Sequence, residues 1–347
     1  MSDTADTEGG RVTRLAGVDI GGTTCAVSIG DEAASGIEII GRSVFPTPSA
    51  PCDALARITK ELDLLWTQCA PATPAAIGVS CGGPLDSRAG LVLAPPNLAG
   101  WDCVDVVTPL RDHFGVPTAL RNDANAGALA EWLWGAGRGC DSIIFLTFGT
   151  GMGAGLILNG RLYEGATGMA GEVGHIRLDT DGPVGYGKAG SFEGWCSGGG
   201  IAHLARSMAD DWLRRGRSPL FCPTRADLPA VTAHAVGDAA QRGDPLACEV
   251  FALVAGYLGR GLAVLVDILN PERIIIGSIY DRQRALLEPI ALRELRRAAL
   301  PRALEGCQIV PAGLGERVGE VASLSIARHA VPLGPTPPST SAPVKNV

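Results

Sequence analysis

The sequence predicts an α/β fold of two related lobes, on three observations. Apolar strand-like runs alternate with amphipathic helix-like runs along most of the chain, the pattern of sheets covered by helices. One motif, an apolar strand, a Gly/Thr-rich hairpin turn and a returning strand, occurs at residues 15–29 and again at 143–158. The third observation is length: 347 residues is long for a single core.

Residues 1–13 read as a loose tail. Leu15–Ile20 and Cys25–Ile29 are β-type runs around Gly21-Gly22-Thr23-Thr24, a hairpin signature. A third strand is expected over Ile37–Val44. A helix follows over Cys52–Trp66, with Leu55, Ile58, Leu62 and Leu65 on one face. Ala76–Ser80 is a buried-strand run that opens on Cys81-Gly82-Gly83-Pro84, and a helix is expected near Val104–His113. Val116–Leu120 is strand-like and leads through Arg121-Asn122-Asp123 into a helix, Ala124–Trp134. The order then begins again: strand Ile143–Phe148, turn Gly149-Thr150-Gly151-Met152-Gly153, strand Ala154–Leu158. The later chain is mainly helical. Leu253–Leu269 is glycine-punctuated at 256, 259 and 261, which suits close helix packing, and Asn270-Pro271 stops it. Ile274–Ile276 is a short strand ending in Gly277-Ser278, and helices near Arg282–Ala299 and Gly319–Ala330 close the ordered part. Residues 333–347, rich in Pro, Ser and Thr, read as disordered.

Bulk properties exclude several function classes. A net charge of −7 without Lys/Arg runs argues against nucleic-acid binding. The ten cysteines form no CxC or CxxC pair, so they read as reduced thiols rather than a zinc knuckle or a disulfide framework. Met1–Gly10 is polar and acidic, unlike a signal peptide. The most apolar stretch, around Leu262–Leu269, is short and contains Asp267, so no membrane span is expected. A cytoplasmic chain is the resulting expectation.

The chemistry-bearing residues concentrate at strand ends. Asp123, at a strand-to-helix junction, is either a helix cap or a carboxylate at the mouth of a cleft, where open α/β sheets place their ligands. Glycine hairpins let successive backbone N–H groups approach phosphate oxygens, although such turns also occur for purely geometric reasons. Asp19 is costly inside an apolar strand unless it is paired or near a cation, and Mg²⁺ held partly through water would suit it. Neither hairpin matches a P-loop or a strand–GxGxxG–helix. Gly168–His175 sets Glu172 and His175 three residues apart among glycines, and Gly182–Glu193 is a second glycine-rich polar segment. Both read as lining a site.

Taken together these residues resemble the ROK family of sugar kinases and sugar-responsive repressors, built on the two-lobed actin/hexokinase-type (ribonuclease H-like) ATPase fold. The resemblance covers roughly residues 14–331. Asp19-Ile20-Gly21-Gly22-Thr23 looks like the family's first phosphate motif and Gly149-Thr150-Gly151-Met152-Gly153 like its second. Asn270-Pro271-Glu272 through Gly277 is similar to the segment before the adenosine pocket. Gly82-Gly83-Pro84, Pro95-Pro96-Asn97-Leu98 with Trp101, and Gly171–His175 resemble the sugar side. The resemblance implies lobes of residues 14–122, completed by a C-terminal helix at about 317–332, and 123–316, with the active site in the cleft between them. It also implies Asp123 as general base, and sugar contacts from Gly83, Asn97, Asn122, Glu172, His175 and Glu193. ATP contacts would come from Asp19, Gly21, Gly22, Thr23, Thr24, Gly149, Thr150, Gly151, Gly153 and Gly277, with Asp19 facing Mg²⁺.

One segment departs from the family, which commonly carries a zinc-binding CxCGxxGC loop after its histidine. Here the corresponding positions are Val184, Tyr186 and Ser191, and His175 alone cannot make a tetrahedral site. No structural zinc is expected, and Tyr186 and Phe192 are expected to pack the loop instead. The implied activity is ATP-dependent phosphorylation of a hexose 6-hydroxyl, glucose first and N-acetylmannosamine or N-acetylglucosamine next. A non-catalytic sugar sensor is the rival from another class. The family's repressors carry a winged-helix domain before the first hairpin, where this sequence has about 14 residues, so a repressor is not expected. A homodimer or homotetramer is implied, with sugar and ATP as the small-molecule partners and neither nucleic acid nor membrane.

Overall fold

The computed structural model describes residues 12–70 and 72–331. Its frame is one sheet topology built twice. The first sheet has the order β3-β2-β1-β4-β5, from β1 (Thr13–Ile20), β2 (Thr24–Ala33), β3 (Gly36–Pro46), β4 (Ile77–Cys81) and β5 (Thr118–Arg121). The second repeats it as β8-β7-β6-β9-β10, from β6 (Ile143–Phe148), β7 (Met152–Leu158), β8 (Arg161–Leu162), β9 (Arg273–Ile276) and β10 (Gln308–Pro311). In each, three strands form an antiparallel meander and the last two join parallel to the first. The strands β4, β6 and β9, and the middle of β1, carry near-continuous apolar runs because they are covered on both faces.

Each sheet has its own core. In the first lobe Val18, Ile20, Val27 and Val79 pack with Ile58 and Leu62 of α1 (Pro51–Gln68) and Leu110 of α2 (Thr108–Phe114), all fully or almost fully buried. In the second, Ile144, Leu146, Ile274 and Ile276 pack on the helices α4 (Gly198–Arg214), α5 (Ala233–Gln241), α6 (Pro245–Leu269) and α7 (Arg284–Ala298). Each buried aliphatic side chain contributes about 1.5–3 kcal/mol, so each lobe has a substantial core of its own.

Between the sheets lie α3 (Asp123–Trp134) and α8 (Val318–Ala330). α8 returns to the first sheet so closely that a Cβ at Gly78 would sit 2.0 Å from the Ser323 carbonyl oxygen. It also touches α3, where the Ser325 hydroxyl donates to the Ala126 carbonyl at 3.0 Å. The fully buried Glu131 of α3 accepts the N–H groups of Ala136, Gly313 and Leu314 at 2.7–3.0 Å, fixing the crossover from β10 to α8.

Several elements differ from their sequence expectation. Val104–Asp105 is a strand, the third of a small meander with Leu85–Asp86 and Leu91–Val92, and α2 starts only at Thr108. The Asp105 carboxylate takes the N–H groups of Val107 and Thr108 at 3.1 and 2.9 Å, so the chain turns before the helix begins. The helix expected from Leu253 starts at Pro245, capped by Asp244, whose carboxylate accepts the Ala247 N–H at 2.8 Å. That helix is the one among the described residues long and apolar enough to cross a membrane, and Leu246, Val250, Val254, Leu258 and Leu262 bury one side of it in the second lobe's core. The tails expected at 1–13 and 333–347 lie outside the described residues, apart from Val12 and Thr13, the latter already in β1.

Candidate active site

The C-terminal ends of β1, β4 and β5 face the turn of the β6–β7 hairpin and the end of β9 across a cavity of about 790 Å³. This is where open α/β sheets hold ligands. At its inner wall stand Asn122 and Asp123. Asn122 is the N-cap of α3: its side-chain oxygen accepts the Asn125 N–H at 2.8 Å. The cap role that Asp123 could have filled is therefore taken by its neighbour, leaving the Asn122 amide NH₂ available. Asp123 becomes the first helical residue, with one carboxylate oxygen on the Ala124 N–H at 2.9 Å. Burial pushes its carboxyl up from the ordinary value, and backbone hydrogen bonds offset this only in part.

Asp19 lies at the end of β1, between Ala26 of β2 and Ser80 of β4. Burial first, and the Asp123 charge second, push its carboxyl up to about 6, against the opposing influence of Arg42 and a hydrogen bond from Ser80. Among the described residues neither Asp19 nor Asp123 takes part in an ion pair. Two desolvated carboxylates in one cavity, the charge of Asp123 opposing the ionisation of Asp19 beside a glycine hairpin, fit a divalent cation held partly through water. Asp19 would be its protein contact.

The two hairpin turns flank these acids. Gly21 and Gly22 of the first, and Gly149, Thr150, Gly151 and Gly153 of the second, line the cavity, as does Gly277 at the end of β9. Thr23 and Thr24, grouped with them in the sequence, do not. Both are exposed, and Thr23 presents its carbonyl to the Thr47 N–H at 3.0 Å. In the second hairpin the Thr147 hydroxyl accepts the Gly153 N–H at 3.0 Å and closes the turn on itself.

The remaining residues expected to meet a sugar, Gly83, Asn97, Glu172, His175 and Glu193, also line the cavity. Asn97 lies against the first hairpin: a Cβ at Gly22 would meet its carbonyl oxygen at 2.5 Å. Glu193 lies against the second, its carboxylate accepting the Met152 N–H at 3.1 Å. The loop carrying Glu172 and His175 rests on β7, and a Cβ at Gly171 would sit 2.0 Å from the Ala154 carbonyl oxygen. That contact requires glycine.

The segment 176–193 has a hydrogen-bonded frame. A short hairpin pairs Val184–Gly185 with Lys188–Ala189. The Lys188 ammonium donates to the His175 carbonyl at 2.8 Å, and the Phe192 N–H to the Ile176 carbonyl at 2.8 Å. The Ser191 hydroxyl, at one of the three positions where the family commonly has cysteine, caps the turn that carries Glu193 by accepting the Gly194 N–H at 3.0 Å. Phe192 is fully buried against Gly261 of α6. Tyr186 departs from the packing role expected of it and is 73% exposed.

Residues that the sequence reading did not single out also line the cavity, among them Ser80, Thr147 and Ala322. Ser80 and Thr147 carried a signal: each is a small polar residue near the end of an apolar strand. Ala322 carried none, because α8 reaches the cleft only through the packing of the two lobes.

Residues 15–330 match the ROK family. Over 321 residues the chain is 32% identical to a glucokinase of Halalkalibacterium halodurans, an alignment covering 88% of this chain and 92% of that one. It is 30% identical to the solved structure of a ROK family glucokinase from Streptomyces griseus in complex with glucose and AMPPNP, with a TM-score of 0.72 over 92% of this chain and 100% of the other. It is also 30% identical over 226 residues to the DNA-binding transcriptional repressor Mlc of Escherichia coli, spanning 65% of this chain and 53% of the repressor.

Proposed function

This chain belongs to the ROK family, and from that premise we propose that it is an ATP-dependent sugar kinase transferring the γ-phosphate to the 6-hydroxyl of a hexose, glucose first. An N-acetylhexosamine is the alternative substrate. The lobes are taken as residues 14–122 completed by 317–332, and 123–316, with sugar and nucleotide meeting between them.

The observation that carries the reading is the placement of Asp123. It opens onto the cavity, is free of the capping role, has its carboxyl pushed up from the ordinary value by desolvation, and is set between two glycine hairpins. A carboxylate within about 3 Å of the sugar hydroxyl accepts its proton as the oxygen attacks the γ-phosphorus and ADP leaves. Its raised pKa makes it a stronger base than an exposed aspartate. The backbone N–H groups of the two turns would bind the phosphate oxygens, and Asn97, Asn122, Glu172, His175 and Glu193 would hold the sugar hydroxyls. A wrong sugar then leaves buried polar groups unpaired, which is the stronger form of selectivity. Magnesium bound with ATP would neutralise charge on the transferring phosphate, with Asp19 reaching it through water.

A coupled ADP-release assay with Mg-ATP and a panel of hexoses and N-acetylhexosamines tests this. Sugar-dependent turnover is expected, falling by about 10²–10⁴-fold in Asp123→Asn. If no sugar is turned over while one still raises the melting temperature, the protein is a sugar sensor and the kinase reading fails.

A further inference from the structure

The hairpin after His175 turns at Tyr186-Gly187, and both residues are left-handed, with φ of +44° and +76°. Two left-handed residues between paired strands make a type I′ turn, whose first position favours Asn, Asp or Gly. A bulky aromatic there is strained. Packing does not explain the choice: Tyr186 is 73% exposed, and its ring meets His175 edge-on, with centroids 5.2 Å apart at 78°. The hairpin is fixed beneath it by the Lys188 ammonium on the His175 carbonyl at 2.8 Å. Tyr186 therefore has a set position on the cavity wall, beside His175 and Met169, with much of its surface open.

An aromatic ring beside hydrogen-bonding groups is what a sugar needs, since hydroxyls bond to polar groups while the C–H surface of the ring packs on an apolar one. We propose that Tyr186 contacts the substrate, its ring forming the outer wall of the sugar subsite beside His175 and setting how tightly the hexose is held. This rests on the kinase reading above. It adds a residue at a position that carries a cysteine ligand in zinc-bearing relatives, so the departure from the zinc loop becomes a specificity element of this chain.

The test compares Tyr186→Gly and Tyr186→Phe with the wild type, by initial rates over the hexose panel and by thermal unfolding. Glycine suits the turn, so Tyr186→Gly should melt at or above the wild-type temperature. Its KM for the best hexose should rise about tenfold, with kcat and the KM for ATP changed by less than about twofold. Tyr186→Phe should keep the wild-type KM for the sugar within about threefold. An unchanged sugar KM in Tyr186→Gly would overturn the inference. So would a melting temperature several degrees lower, with sugar and ATP kinetics shifting together, because that is the mark of a structural role. Absence of any wild-type turnover sinks the kinase reading and this inference with it, whereas wild-type turnover with an unmoved Tyr186→Gly sinks the inference alone.

Discussion

The two glycine hairpins occupy equivalent places in duplicated sheets and differ in one side chain that changes their chemistry. Asp19 and Thr147 both stand two residues before the first turn glycine, Gly21 or Gly149. In the second hairpin Thr147 is satisfied locally, accepting the N–H of its cross-strand partner Gly153. In the first, Asp19 faces Ala26, which offers it no side-chain partner, and its carboxyl is pushed up to about 6 by burial and by Asp123. One turn is a finished structural unit that presents backbone N–H groups. The other holds a partly buried acid with a hydrogen bond from Ser80 and no ion pair among the described residues, a cost to the fold that a nearby cation would offset. Each is also tied to a sugar-side residue, the first by contact with Asn97 and the second by the Met152 N–H on Glu193. On the proposed function, these contacts would couple phosphate and sugar sites in both lobes, through backbone in one and a carboxylate in the other.

Replacing a glycine in each turn separates these couplings. Gly22→Ala places a Cβ 2.5 Å from the Asn97 backbone oxygen, whereas Gly151→Ala meets the Glu193 carboxylate at 2.8 Å, the end of a flexible side chain. Because misplacement by an ångström can cost about 10²-fold, kcat/KM should fall about that much in Gly22→Ala and only about tenfold in Gly151→Ala. Equal losses, measured by initial rates, would show that the two ties are equivalent.

The acid limb of kcat/KM should lie above the ordinary aspartate value, since the base must be ionised and desolvation holds the Asp123 proton on. A limb near the usual aspartate value would break the assignment of Asp123 as a desolvated base.

The equivalent positions should respond to substitution with opposite signs in stability. Asp19 in the folded, metal-free protein binds its proton more tightly than in the unfolded chain, at about 6 against 3.8. That contribution is fully present below about pH 4 and is lost as pH rises through about 6, on the order of 2–3 kcal/mol in all. Asp19→Asn should therefore raise the melting temperature at pH 7 by a few degrees and flatten its decline between pH 4 and 6, while activity is lost. Calorimetry across pH reads both effects. Thr147→Val instead strips the Gly153 N–H of its partner and should lower stability by about 1 kcal/mol. Two changes of the same sign would mean that the hairpins are not the contrasting pair described here.

Much of this was legible in the chain because it is local. Glycine hairpins, alternating strands and the stop at Asn270-Pro271 follow from backbone conformation and side-chain period, which neighbouring residues set. Asp19 was conspicuous because a charge in an apolar strand is expensive wherever the strand goes. Less legible were features decided by a competing local bond, such as the Asp105 turn that displaced a helix start, and the capping by Asn122 that freed Asp123. The anchoring of the crossover by Glu131 joins residues more than 180 positions apart and left no sequence trace.

The duplicated α/β order, the two glycine turns and the identity of the acids follow from chain order alone, because each rests on contacts within a few residues. It took the folded structure to show that the charge of Asp123 bears on Asp19, and that Tyr186 stands open beside His175. Those outcomes depend on where two independently cored lobes come together. Desolvation and charge coupling act through space, between groups that chain order does not make neighbours.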